Sequence, residues 1–242
     1  MISIFADRET LSRAAAGLFS DEARRAVAAR GCFTVLLSGG ETPRRAYEIL
    51  AQPPWHDGIP WERVSFFWGD ERCVPADDPR SNAGMVRRAL LDHVPVPHFH
   101  VHPILCTGDA EQAAEAYEKL LRSRFPDTFP RFDLVFLGLG DDGHTASLFP
   151  GDPAVTEQER WTAVTRRSGE EIKRVTLTAP AINGAARIAF LVSGAVKAAV
   201  LREVLENAPD PRHIPARLIR PAGGDILWLI DRDAARLLSR TE

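Results

Sequence analysis

Short apolar runs alternate along the chain with longer stretches in which apolar residues recur every three or four positions. The first kind reads as buried strands and the second as amphipathic helices. Their alternation predicts βαβ units around a mostly parallel sheet. Asp7 is placed to cap a helix whose apolar stripe carries Leu11, Ala15, Leu18 and Phe19, and which ends at Gly31. Phe33–Leu37 follows as a buried strand. Thr42 and Pro43 then open a second helix, with threonine as cap and proline at its first position. Val64–Trp68 reads as a strand, Ser81 as the cap of a helix reaching Leu91, and Asp109 with Gln112 as a capping-box start for a helix to about Arg124. Leu134–Leu137 and residues 175–178, 188–192 and 226–230 are further strands, residues 195–206 a helix, and Asp231 the cap of a last one. The polar stretch 151–159 is the weakest boundary, but strands resume on both sides. Residues 1–242 therefore read as a single domain of the α/β class.

Composition narrows the picture. Of 242 residues, 45% are hydrophobic and 26% charged, enough apolar matter for a sizeable core. A net charge of −3 argues against nucleic acid or an acidic membrane as partner, since either would need concentrated positive charge. An anionic small molecule remains open to local arginines and backbone dipoles. No apolar run approaches the ~20 residues of a membrane span, and charge follows the N-terminus too soon for a signal-peptide core. Cys32, Cys73 and Cys106 are odd in number, widely spaced and in no C-x-x-C pair. They suit a reducing compartment and argue against a disulfide framework and a zinc knuckle, so a cytoplasmic location is expected. His98, His100 and His102 alternate, and on a strand would share a face that could ligate a metal. No carboxylate or cysteine lies near them in sequence, so no metal site is expected.

The chemistry gathers where strands end, as it does in open α/β sheets. After the strand at 33–37 come Ser38, Gly39, Gly40 and Thr42. The glycines admit a close backbone approach, and the following helix offers unpaired N–H groups to a phosphate. A plain tight turn is the alternative. After Trp68 come Asp70, Glu71 and Arg72, with Arg80 nearby. Arg72 and Arg80 could hold phosphate oxygens and Asp70 could accept from sugar hydroxyls, or the segment could be a solvated, ion-paired loop. After Leu137 a loop with three glycines carries Asp141, Asp142 and His144. Histidine takes and returns a proton near neutrality, and a helix start at this point would keep its imidazole neutral. Lys197 follows Gly194 in the first turn of a helix, where a cation opposes the dipole, so an anionic partner is expected.

Taken together these segments resemble the 6-phosphogluconolactonase family, a branch of the group that includes glucosamine-6-phosphate deaminases. The matching pieces are LSGGETP at 37–43, FFWGDERCVP at 66–75 with RSNAG at 80–84, LGLGDDGHTASLFPG at 137–151, RVTLTAPAIN at 174–183, LVSGAVKAAVL at 191–201 and ILWLIDRDAA at 226–235. The third is highly specific. The resemblance implies a modified doubly wound, Rossmann-like, mostly parallel sheet with helices on both faces, and neither metal nor organic cofactor. It implies that His144 is the catalytic histidine with Asp142 beside it, and that Asp70 holds the acidic position after the second of these strands. It places Ser38, Gly39, Gly40, Arg72 and Lys197 around the substrate and its phosphate.

Deaminases of the group carry a glutamate five residues beyond the loop histidine, where this chain has Phe149. The segment RRSGEEIK at 166–173 also departs from the family pattern in lacking prolines. The expected activity is therefore hydrolysis of a sugar phosphate lactone by general-base activation of water, in the oxidative pentose phosphate pathway. The expected partner is the small-molecule lactone, and the expected state a monomer or weak homo-oligomer. The rival enzyme readings are a deaminase or a sugar-phosphate isomerase. A non-catalytic phosphosugar sensor is a third, but it would have little use for Asp142 and His144 together.

Overall fold

A computed structural model describes residues 1–106, 108–126, 129–207 and 210–239. The chain begins with β1 (Ile2–Phe5) and α1 (Arg8–Arg30). Asp7 caps α1 as its position suggests: its carboxylate accepts from the Thr10 N–H at 2.8 Å, and Gly31 closes the helix in the left-handed region at φ 77°. Then come β2 (Phe33–Leu37), α2 (Glu41–Leu50), α3 (Trp55–Gly58), β3 (Val64–Trp68), β4 (Asp70–Arg72) and α4 (Asn82–Ala89), capped by Ser81. β5 (Val101–His102), α5 (Ala110–Arg124), β6 (Leu134–Leu137), β7 (Thr162–Arg166) and β8 (Lys173–Leu177) follow. The chain closes with α6 (Ala179–Asn183), β9 (Arg187–Val192), α7 (Ala198–Leu205), β10 (Asp225–Asp231) and α8 (Arg232–Ala235).

Seven strands form one sheet in the order β1-β10-β9-β6-β2-β3-β5, with every neighbouring pair parallel. Its central strands are apolar on both faces, as a covered parallel sheet requires; all four residues of β6 are buried. Phe19 of α1 packs edge-on to Phe33 at 5.3 Å between ring centroids and also meets Trp61, Phe66 and Phe136. From β2 the chain builds outward through β3 to β5. From β6 it builds the opposite way through β9 to β10, with β1 at the far edge. The direction reverses between β2 and β6, which opens a crevice beyond their carboxyl ends.

The strand expected at 175–178 lies outside this sheet. As β8 it joins an antiparallel sheet, β4-β8-β7. Gly69 links the two sheets: its N–H donates to the Leu37 carbonyl at 2.9 Å and its carbonyl accepts from the Leu177 N–H at 2.8 Å.

Three local expectations need correction. Helix α2 starts at Glu41 with Gly40 as its N-cap residue, so Thr42 and Pro43 already lie inside the first turn. The histidines do not share a strand face: residues 98–100 form a 3₁₀ turn and only His102 reaches β5, stacked on Phe67 at 4.7 Å. Cys73 and Cys106 are joined in a disulfide, Cα to Cα 4.8 Å. The pairing of β3 with β5 brings their trailing segments together, which a spacing of 33 residues does not announce. Cys32 is free and exposed.

Candidate active site

Ser38, Gly39 and Gly40 leave β2 at the crevice. Gly40 sits at φ 105°, and α2 begins without a side-chain cap, which leaves its first N–H groups without a side-chain acceptor among the described residues. The side chain of Asn82, first residue of α4, lies against Gly39; a Cβ there would stand 2.0 Å from its Oδ1. Asn82 Nδ2 in turn donates to the Asp70 carbonyl at 2.9 Å and to its carboxylate at 3.3 Å. The buried Ser38 hydroxyl has no partner among the described residues.

β6 feeds the loop that holds His144. The Gly140 N–H donates to the His144 carbonyl at 2.8 Å, and Gly143 and Ala146 turn the chain at φ 83° and 48°. An alanine there stores strain of the kind that gathers at functional sites. His144 Nδ1 meets Asp142 Oδ1 at 2.5 Å, and its backbone N–H donates to the same oxygen at 3.1 Å. Asp142 therefore fixes the ring with Nδ1–H as donor and turns Nε2 toward the cleft. No helix begins here; the loop continues in turns to a single bridge between Thr145 and Leu148. The expected help from a helix dipole is absent, and Asp142 orients the ring instead. Phe149 packs against that ring at 4.8 Å. Burial alone would push the Asp142 carboxyl up, but hydrogen bonds and charge from His144, with the Arg167 charge added, hold it well below the usual carboxylate range.

The antiparallel sheet supplies the remaining charge. In register, Arg72 of β4 stands directly opposite Arg174 of β8, and Asp70 opposite Thr176. Like charges facing each other across strands destabilise a sheet unless an anion lies between or beside them. The Nε atoms of both arginines are buried without a partner among the described residues. Arg72 Nη1 donates to the Arg80 carbonyl at 2.7 Å, and Arg174 stacks over Phe149 at 5.1 Å. Lys197, at the 3₁₀ turn that leads into α7, pairs with Asp141.

These groups line one cleft of about 330 Å³: Ser38, Gly39 and Gly40 on one wall, His144 and Asp141 on another, with Asp70, Arg72, Arg167, Arg174 and Lys197 around them. Asp142 stands behind His144. Asp70 is buried and engaged, its Oδ2 accepting from Ser147 Oγ at 2.6 Å. Two residues singled out in the sequence lie off this cleft. Thr42 lines an adjoining hollow, and Arg80 lines an outer one, where its Nε and Nη2 donate to Asp78. Sequence reasoning passed over Asn82, Ser147, Arg167 and Arg174. For Arg174 the signal was present: in RVTLT, the polar Arg174 and Thr176 alternate with the apolar Val175 and Leu177, so they share a strand face.

The family model of glucosamine-6-phosphate isomerases/6-phosphogluconolactonase matches residues 6–228. A 6-phosphogluconolactonase of Synechocystis is 42% identical over 98% of both chains. One of Mycobacterium tuberculosis is 41% identical, again over 98% of both. Among solved structures, the 6-phosphogluconolactonase of Trypanosoma brucei superposes with a TM-score of 0.89 at 32% identity, covering 99% of this chain and 98% of that one.

Proposed function

The chain belongs to the glucosamine-6-phosphate isomerase/6-phosphogluconolactonase family, and from that premise we propose that it opens 6-phospho-D-glucono-1,5-lactone to 6-phosphogluconate with His144 as general base. The reaction is the hydrolytic step of the oxidative pentose phosphate pathway. One observation carries the assignment of roles. His144, its Nδ1 held by Asp142 at 2.5 Å, borders the same cleft as the Ser38–Gly40 loop and the cations Arg72, Arg174 and Lys197.

In this reading the phosphate rests on the loop amides, the α2 N-terminus and the cations. That grip brings the lactone carbonyl to the imidazole, and such positioning is a large part of the rate gain. Nε2 takes a proton from water as its oxygen bonds to the carbonyl carbon. The imidazolium, stabilised by the Asp142 carboxylate, returns the proton to the ring oxygen as the carbon–oxygen ring bond breaks. The product acid ionises, so one proton is released per turnover. Asp70 keeps lone pairs for a sugar hydroxyl beyond those given to Ser147 and Asn82. An aldose–ketose shuttle needs a second proton carrier beside the histidine, and Phe149 occupies that flank.

A cytoplasmic location fits a charged, membrane-impermeant substrate, although the Cys73–Cys106 bond withdraws the argument from reduced cysteines. Among the described residues no helix is long and apolar enough to cross a membrane. The test is loss of freshly made lactone against its spontaneous decay. His144→Ala should lower kcat by about 10²–10⁴-fold with little change in KM. Turnover near that of the wild type would remove the histidine from the mechanism.

A further inference from the structure

Two of the cations that line the cleft have acidic partners. Lys197 Nζ pairs with Asp141 Oδ1, and Arg174 Nη2 donates to Glu170 Oε2 at 2.6 Å. The other oxygen of Glu170 lies 3.7 Å from Arg167 Nη1. Glu170 sits in the turn joining β7 to β8, where its N–H donates to the Arg167 carbonyl and Gly169 takes φ 80°. Its carboxyl is held low, first by the hydrogen bond from Arg174 and then by the charges of Arg174, Arg167 and Arg72, so three cleft arginines act on one carboxylate.

The two members of each pair differ in exposure. The side chains of Lys197 and Arg174 are 23% and 9% exposed, and those of Asp141 and Glu170 are 66% and 36%. The acid can turn into water with its hydration restored, whereas the base is fixed in the wall. A buried guanidinium also needs a counter-charge when no ligand is present.

We propose that Asp141 and Glu170 are place-holders for the substrate phosphate: they neutralise Lys197 and Arg174 in the empty cleft and yield those cations when the phosphate arrives. The inference rests on the phosphate reading given above and adds to it a displacement cost that any phosphate ligand must meet. A bare anion must displace both carboxylates in return for the phosphate contacts alone. The whole lactone meets the same cost and offsets it with contacts through its ring and hydroxyls, so removing the carboxylates tightens lactone and inorganic phosphate alike.

The test uses Asp141→Asn and Glu170→Gln, singly and together, which remove charge and keep shape. The inhibition constant of inorganic phosphate against lactone hydrolysis should fall about two- to five-fold per substitution, the span that corresponds to one partly exposed ion pair. KM for the lactone should fall with it. A double variant in which neither constant falls overturns the proposal. Lys197→Met separates the two layers: if it weakens neither phosphate inhibition nor lactone binding, the phosphate reading itself fails. If it weakens them while the Asn and Gln variants tighten nothing, only the place-holder role is lost.

Discussion

A methyl group at Gly140 would collide with the imidazole of His144. Its Cβ would lie 2.0 Å from Nδ1, 2.2 Å from Cε1 and 2.7 Å from Cγ, and these are its three nearest contacts. Real Cβ atoms do not come within 3.0 Å of a neighbour, so the ring must retreat by at least 1.0 Å, the difference between 3.0 and 2.0. Gly140 is absent from the positive-φ positions, so alanine brings no backbone penalty and the collision is the whole effect. A retreat of that size breaks the 2.5 Å bond to Asp142 or swings Nε2 off the attacking water. A misplacement of about 1 Å costs roughly 10²-fold in rate. In barrier height this is about 2.7 kcal/mol, within the ~1.5–3 kcal/mol assigned to a hydrogen bond to a charged group. Gly140→Ala should therefore lose about two orders of magnitude in kcat while KM holds, since the three nearest atoms to the added methyl all belong to His144. Proton release in weak buffer, corrected for spontaneous opening of the lactone, measures both constants. A kcat close to that of the wild type in a folded variant would refute the Asp142-oriented imidazole.

Gly39→Ala is the complementary case: its Cβ meets Asn82 Oδ1 at 2.0 Å, displacing the phosphate loop, so KM should rise more than kcat falls, and the reverse split in steady-state kinetics would count against the loop's role. Burial, with Arg124 and His100 adding, pushes the His102 imidazole down to about 4. Between pH 4 and 6.5 the unfolded chain then binds more protons than the folded one, so stability is complete above 6.5 and declines as pH falls toward 4. His102→Phe, which can keep the stack on Phe67, should flatten that decline in urea midpoints compared at pH 7 and 5; parallel curves would argue otherwise. Removing the Cys73–Cys106 bond by Cys73→Ser should cost about 3 kcal/mol through the freed loop, read as a lower urea midpoint that reductant reproduces in the wild type. Coincident midpoints would mean that the bond contributes nothing to stability.

The parts of the fold that were legible in the sequence are those where local chemistry and long-range packing agree. Asp7, Ser81 and Asp231 cap helices because a short side-chain acceptor at that position reaches a first-turn N–H, and the runs at 33–37, 64–68 and 134–137 are largely apolar because the sheet is covered on both faces. What was missed depends on pairing. Asp70–Arg72 is a charged tripeptide that reads as loop, and becomes a strand because β8 lies beside it. Ile2–Phe5 is too short to announce an element by itself and becomes a strand because β10 pairs with it. Arg174 enters the cleft through the same antiparallel pairing, and the disulfide through the proximity of two segments 33 residues apart. At His144, glycines and carboxylates marked a loop that borders the cleft, but they could not say that turns rather than a helix follow it.

The union of β1 with β10 bears on how the molecule is made. Met1 donates to the Ile226 carbonyl across 225 positions, and Ile2 through Phe5 sit beside Trp228 through Asp231. During synthesis the earliest strand waits for a neighbour that is translated long afterwards, and contacts so distant are the slowest to form. A nascent chain interrupted before residue 225 would carry two unsatisfied sheet borders, at β1 and at β9, each a template for intermolecular association. The border at β9 adjoins the loop that carries Lys197, so the ribosome must deliver that closing strand before the catalytic crevice has a firm floor.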